Sequence, residues 1–179
     1  MDNLYEIYLD QAKLMHQNPK YWKGHMILKY MPQIEEIIKE HKVDTILDYG
    51  CGKAQNHPDS WNVYKYDPAV PKFEKKPEAG RKFDLVVCID VLEHIPQADL
   101  PRIIKEIFDY SGKYVFATAA TNKAGKTLPN GMNAHATVQP EEWWIELFKP
   151  YEGRFTLDFT TKKPTRKSSD IYNLSLIHI

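Results

Sequence analysis

Three acids in the chain stand where an acid does more than solubilise a surface. Residues 46–68 read ILDYGCGKAQNHPDSWNVYKYDP. An apolar run reaches Asp48, Gly50 and Gly52 flank Cys51, and a second short apolar run ends in Asp67-Pro68. Further on, FDLVVCIDVLEHIP carries Asp90, Glu93 and His94, and the segment after VFATAA carries His135. Glycines let a backbone pass close to a ligand, and acids beside them can accept from its hydroxyls or amines. An imidazole titrates near neutrality and can take a proton, which makes His135 a candidate general base. The plainer alternative is that His135 only hydrogen-bonds backbone in a long ordered loop, and for His94 a structural role is expected. Asp90, Glu93, His94 and His135 also carry metal-ligand atoms, but no recognisable ligand spacing joins them, so no metal is expected. Cys51 has no nearby histidine except His57 and matches no nucleophile signature, so it reads as a packing residue.

Two cofactors use a glycine loop followed by an acid at the next strand end. A nicotinamide dinucleotide needs G-x-G-x-x-G opening a full helix, because the helix N-terminus holds the pyrophosphate. Here Gln55 stands where the third glycine belongs, and QNHPDSW contains Pro58 and Asp59 with no apolar stripe. Asp67 lies only 15 positions after Gly52, too few for a crossover helix plus a strand. S-adenosylmethionine has no phosphate. Its ammonium suits Asp48, its ribose diol suits Asp67, and a missing helix costs it little. S-adenosylmethionine is the cofactor this spacing favours.

These residues must be positioned by strands. VDTILDY, VYKYD, FDLVVCIDVL and KYVFATAA read as strands, the third nearly continuous in apolar residues as a doubly covered parallel strand should be. Leu4, Ile7, Tyr8 and Met15 recur at helical spacing. MPQIEEIIKEH predicts a helix with Pro32 in its first turn. PQADLPRIIKEIFDYSG predicts another, with Asp99 as N-cap and Gly112 as its stop. PEEWWIELFKP is a helix bracketed by prolines. RFTLDFTT alternates, and SSDIYNLSLIHI pairs with it as an antiparallel edge. Strand–helix alternation predicts an α/β fold: a doubly wound, mainly parallel sheet with an antiparallel C-terminal strand. Ligands of such sheets bind at the carboxyl ends of the strands, where Asp48–Gly52, Asp67, Asp90 and the loop after Ala119 all fall.

Whole-chain properties narrow the classes. The 179 residues suit one domain. Formal net charge is zero, so no global field steers the chain to nucleic acid or an anionic membrane. The basic run of Lys162, Lys163, Arg166 and Lys167 reads as a solvated hairpin turn. Two cysteines in buried-looking segments suggest a reducing compartment. No membrane span and no signal-peptide layout are evident, so a cytoplasmic location is expected. NLSLIHI at the C-terminus resembles a translated sequencing-adapter read-through; the other reading is an alternating edge strand.

The residues resemble class I S-adenosylmethionine-dependent methyltransferases over roughly 43–148. LDYGCGKA resembles their glycine-rich first motif, with Ala54 in place of its last glycine. YDP resembles the ribose-binding second motif, and FDLVVCIDVLEHIP the fourth motif in its D-V-L-E-H-I form. LPNGMNAHATVQPEEWW resembles a segment of small phage and environmental bacterial members. The resemblance implies that Gly50, Cys51 and Gly52 line the methionine part and that Asp48 acts there directly or through water. It implies that Asp67 binds the ribose with Pro68 beside the adenine, and that Asp90, Val91 and Leu92 flank the transferring methyl. It divides the single domain into N-terminal helices and lid (1–42), cofactor core (43–148) and C-terminal strands (149–179). Tyr21 and Trp22 are lid candidates. Relatives usually fit a helix, a strand and an adenine-contacting acid between Asp67 and Asp84. Only PAVPKFEKKPEAGRK is available, so the sheet is expected to be trimmed there, with Glu74 and Glu78 the sole acids on offer.

The acceptor is less constrained. The fourth motif is neither the Asn/Asp-Pro-Pro-Tyr type nor the Pro-Cys type, which argues against DNA bases. A small-molecule, lipid or glycan acceptor is the expectation, with RNA or protein acceptors and a catalytically silent cofactor-binding module as alternatives. Trp143 and Trp144 cannot share one helix face. One should be core and the other free for the acceptor pocket or a partner.

Overall fold

The computed structural model describes residues 3–152, 157–161 and 173–178. The basic run at 162–167 lies outside them. Six strands form one sheet: β1 (Ile46–Tyr49), β2 (Val63–Tyr66), β3 (Phe83–Ile89), β4 (Ser111–Ala120), β5 (Leu157–Thr161) and β6 (Asn173–His178). Their spatial order is β2-β1-β3-β4-β6-β5. β1 to β4 are mutually parallel, and β6 runs antiparallel to both β4 and β5. The expected single antiparallel C-terminal strand is therefore present. Leu176 pairs with Phe159 and Leu174 with Thr161 in its ladder.

Side-chain alternation explains the layers. Leu85, Val87 and Ile89 of β3 face α2 (Ile27–His41), meeting Ile27, Tyr30, Ile34 and Ile37. Val86 and Cys88 face the other way, onto α3 (Leu100–Tyr110) and α4 (Glu141–Phe148). A strand alternates its side chains with period two, so a strand covered on both faces must be apolar at every position. Each fully buried isoleucine on α2 contributes roughly 1.5–3 kcal/mol. α1 (Leu4–Gln17) begins at Asn3, whose side-chain Oδ1 accepts the Tyr5 N–H.

Local details differ from the pattern reading in three places. α2 begins at Ile27 rather than Met31, because Ile27 and Tyr30 extend its buried stripe; Pro32 thus sits inside the helix. Asp99 precedes α3 but makes no cap, and its carboxylate instead pairs with Arg102 at 3.3 Å. α3 passes straight from Tyr110 into β4 at Ser111, so Gly112 is a strand residue and not a stop.

The two trimmed connections are present as expected. Neither the described residues 50–62, between β1 and β2, nor 67–82, between β2 and β3, contain a helix or strand. β2 is consequently an edge. Trp144 is fully buried and Trp143 packs partly buried beside it, with ring centroids 5.2 Å apart.

Candidate functional site

A cleft open to solvent lies at the carboxyl ends of β1, β2 and β3. Gly50, Gly52, Asp67, Pro68, Asp90 and Val91 line it, six of the nine residues expected to hold the cofactor. Asp48 and Cys51 line a smaller pocket that adjoins it through Gly50. Leu92 does not reach either; it is 1% exposed within the core beneath α3.

The glycine loop is shaped by its contacts. Gly50 has φ +85, and a Cβ there would lie 2.3 Å from Cγ2 of Val91. Gly52 has φ +56, and a Cβ would lie 2.9 Å from the Trp22 carbonyl oxygen. A side chain at either position would meet both backbone strain and a close neighbour. The Gly50 and Cys51 N–H groups donate to the Tyr66 carbonyl at 2.7 and 3.1 Å. Asp67 completes the tie: its carboxylate accepts the Gly52 N–H at 2.8 Å and the Ala69 N–H at 2.9 Å. Burial still dominates, and pushes the Asp67 carboxyl up to about 6 despite those two donors.

Asp90 adopts a left-handed φ of +52. Its N–H donates to the Thr118 hydroxyl at 2.9 Å, and that hydroxyl donates back to its carboxylate at 2.7 Å. β4 therefore holds the turn after β3 in place. Burial raises the Asp90 carboxyl, opposed by the Thr118 hydrogen bond.

Asp48 is engaged by a residue that pattern reading gave no role. His57 Nε2 lies 2.7 Å from its carboxylate, both side chains almost fully buried. His57 Nδ1 is buried without a partner. The helix-free loop is what allows His57 to fold back onto β1. Cys51 is buried, its thiol is pushed far up by desolvation, and its Sγ lies 3.4 Å from the Gly52 carbonyl. It is a packing residue.

The other wall comes from the N-terminal segment. Tyr5, Tyr8, Leu9, Ala12 and His16 of α1 line the cleft together with Trp22. Lys53 Nζ anchors the segment by donating to the carbonyls of Asn18 and Tyr21 at 2.6 and 2.9 Å. Trp22, a lid candidate in the sequence, lies in the wall; Tyr21, the other, packs behind it against Met15, Leu128 and Ala134. The α1 wall went unread in the sequence, although Tyr5 and Tyr8 at i, i+3 on one amphipathic face were a usable signal.

Histidines dominate the far end. The rings of His16, Trp22, His94 and His135 follow one another at centroid spacings of 5.2, 5.2 and 5.0 Å. His16 and His94 line the cleft; His135 stands behind His94. Burial lowers all three, His16 and His94 to about 4, so they are unprotonated at neutral pH. His135 Nδ1 lies 2.6 Å from the Asn122 carbonyl and His94 Nδ1 2.7 Å from the Ala134 carbonyl. The loop after β4 is ordered around Asn133, whose amide bonds Ala124 in both directions and accepts the His135 N–H.

The residues fit S-adenosylmethionine. The glycine cradle admits a ligand close to backbone, and a buried carboxylate faces the cleft at the β2 end. Among the described residues, none that lines the cleft is a lysine or arginine, which ill suits a pyrophosphate.

Comparison with known proteins agrees. A family model described as "Methyltransferase domain" matches residues 21–151. A Methanosarcina mazei structure described as a SAM-dependent methyltransferase is 20% identical, with a TM-score of 0.58, covering 82% of this chain and 96% of that one. Magnesium protoporphyrin IX methyltransferase (ChlM) from Synechocystis with bound SAH is 16% identical, with a TM-score of 0.59, covering 87% and 84%. DhpI in complex with SAH is 14% identical, with a TM-score of 0.57, covering 98% and 96%. Among curated proteins, none matches. At these identities the solved structures speak to the fold, and the family match to the class. The chain belongs to the methyltransferase-domain family, the class I S-adenosylmethionine-dependent methyltransferases.

Proposed function

We propose that the cleft binds S-adenosylmethionine between the glycine loop and α1 and serves methyl transfer to a small-molecule, lipid or glycan acceptor. The observation that carries the acceptor class is the character of the wall. It is aromatic and apolar, built from Tyr5, Tyr8, Leu9, Ala12, Ile95 and Ile103, and its histidines are uncharged. Such a wall welcomes a compact or greasy acceptor and gives a polyanion no cation to pair with.

The cofactor would supply a methyl on a sulfonium, displaced in line. The chain's residues do the rest. Asp67 accepts from the ribose hydroxyls with the lone pairs its backbone donors leave free, and Pro68 and Ala69 floor the adenine. Gly50, Gly52 and Val91 bring backbone and one methyl group against the methionine part. Asp48, held by His57, and Cys51 shape the adjoining pocket that takes the ammonium end. Asp90, fixed by Thr118, borders the reacting centre. Leu92 supports this turn from the core. Positioning provides much of the rate, and the apolar wall excludes water from a reaction that disperses charge. His135 is the proposed catalytic residue on the acceptor side. With Nδ1 committed to Asn122, its Nε2 keeps a lone pair, and its simplest use is to take the proton of a hydroxyl acceptor.

Incubation with methyl-labelled S-adenosylmethionine and cell extract separated into metabolite, lipid, RNA and protein fractions tests the acceptor class. Label entering the metabolite or lipid fraction is expected. Label entering only RNA or protein would overturn the acceptor assignment, and tight cofactor binding without transfer to any fraction would instead favour a silent binding module.

A further inference from the structure

At the acceptor end of the cleft lies a cluster that ribose, methionine and adenine binding do not use. Glu93 is 1% exposed, and its Oε2 has no hydrogen-bond partner. An unmet buried polar atom destabilises the fold, so it calls for an explanation. One ligand atom each from Glu93, His94 and His135 lie within 4.8 Å of one another. Some point therefore lies within about 2.8 Å of all three atoms, and a small contraction brings that to the 2.0–2.2 Å of a metal–nitrogen or metal–oxygen bond.

The imidazoles are already set for ligation. His94 Nδ1 lies 2.7 Å from the Ala134 carbonyl and His135 Nδ1 2.6 Å from the Asn122 carbonyl. A carbonyl only accepts, so each Nδ1 carries the ring proton and each Nε2 presents a lone pair. Clamping one ring nitrogen on a carbonyl is how metal-ligating histidines are oriented. The parts come from two separate elements, the 3₁₀ turn at Leu92–His94 and the loop after β4. Thr137 locks them together: its N–H donates to the Glu93 carbonyl at 3.0 Å and its hydroxyl to the Ile95 carbonyl at 2.7 Å. The sequence shows these residues as ligand types without a ligand spacing, because 41 positions separate His94 from His135.

We propose that Glu93, His94 and His135 bind a divalent first-row transition ion, manganese or zinc in class, with its remaining coordination positions open towards the cleft. Two imidazoles and one carboxylate suit a borderline ion better than magnesium or calcium. Three protein ligands with an open position are the arrangement of catalytic sites, not of closed structural ones. His94 lines the cleft, so the open side faces the entering acceptor.

The use of the ion rests on the methyltransferase reading and deepens it. A metal-bound acceptor hydroxyl has a lowered pKa and gives its proton to solvent. Its oxygen then forms the O–CH₃ bond as the S–CH₃ bond breaks, the electron pair going to sulfur and the metal keeping its oxidation state. With the ion in place His135 acts on the acceptor's proton through the metal; without it the same Nε2 lone pair takes the proton directly. This points to an acceptor with a hydroxyl or a vicinal oxygen pair.

The test is calorimetric titration of the chelator-stripped full chain with manganese, zinc and, as comparator, magnesium, with S-adenosylhomocysteine binding measured on every variant as a folding control. His135→Asn keeps a donor for Asn122 while deleting the Nε2 position, so it removes a ligand with little structural cost. Glu93→Gln removes the charge, and His25→Ala alters an exposed histidine outside the cluster. One manganese or zinc site per chain is expected, weakened at least about tenfold by H135N and E93Q and unchanged by H25A. Should E93Q fail to fold, H135N alone decides. Absence of one-to-one binding, or H135N binding as wild type does, overturns the proposal. Either result would leave S-adenosylhomocysteine binding, and hence the methyltransferase reading, untouched.

Discussion

Replacing Gly50 by alanine tests the loop geometry at its tightest point. The backbone there has φ +85, and the new Cβ would lie 2.3 Å from Cγ2 and 2.9 Å from Cγ1 of Val91. Left-handed backbone costs a non-glycine residue about 1–2 kcal/mol, and forcing a methyl into an occupied space typically costs about 1–3 kcal/mol more. The sum is roughly 2–5 kcal/mol, a large share of the 5–15 kcal/mol that holds an ordinary domain together. Gly80 supplies the internal control. Its φ is +82, nearly the same, yet a Cβ there would meet nothing within 4 Å. Gly80→Ala should therefore show only the backbone part. Urea denaturation with unchanged m-values reads the difference as a shift in midpoint. Adding Val91→Ala to Gly50→Ala should recover part of the loss, seen as a coupling of at least about 1 kcal/mol in the double-mutant cycle. Equal losses for G50A and G80A, or no coupling to Val91, would refute the claim that this glycine is fixed by the turn after β3.

Four more predictions concern the cleft and its adjoining pocket. Asp67 sits near 6 in the free protein, and ribose hydroxyls need the ionised carboxylate. Cofactor affinity should thus fall about tenfold per pH unit below 6; a flat profile between pH 7 and 5 would exclude Asp67 as the ribose ligand. The same raised pKa gives Asp67 the opposite sign in folding: its contribution to stability is full below the unfolded value of 3.8 and is lost as pH rises through about 6, which pH-dependent denaturation of the unliganded protein and D67N can read. Trp22→Gly deletes an indole from the wall but keeps the φ of +44 comfortable, so it should fold well yet weaken S-adenosylhomocysteine binding roughly 10- to 100-fold, the equivalent of about 1.5–3 kcal/mol of lost burial. An affinity within twofold of wild type would remove Trp22 from the lid. Cys51→Ala should leave transfer rate within about threefold, since a buried thiol with a raised pKa is no nucleophile; loss of activity with intact folding would contradict that.

The strand-end side of this cleft was legible in the sequence and the opposite wall was not, for a physical reason. Asp48, Gly50, Gly52, Asp67 and Asp90 are legible because each sits at a strand end, and strands announce themselves by local apolar runs. The missing crossover helix was legible from Pro58, Asp59 and the short interval before Asp67. Other parts are made by chain segments far apart. Tyr8 reaches the Asn133 carbonyl across 125 positions, and His94 reaches Ala134 across 40. No periodicity records such meetings. His57 on Asp48 is only nine positions distant, but a loop without helix or strand gives no rule for where its side chains point. Leu92 shows the converse: a motif placed it beside the methyl, while the helical turn that follows Asp90 rotates it into the core.

The central claim is that the glycine loop, Asp67 and the α1 wall form an S-adenosylmethionine site. Thermal unfolding with S-adenosylhomocysteine against NAD, each at a hundred times an expected micromolar Kd, tests it most directly. Saturation of that degree stabilises the fold by about 2.7 kcal/mol, which for a chain of this size is a rise of roughly 5–10 °C. The account predicts that rise with S-adenosylhomocysteine, its loss in D67A, and none with NAD. Stabilisation by NAD and not by S-adenosylhomocysteine would contradict it.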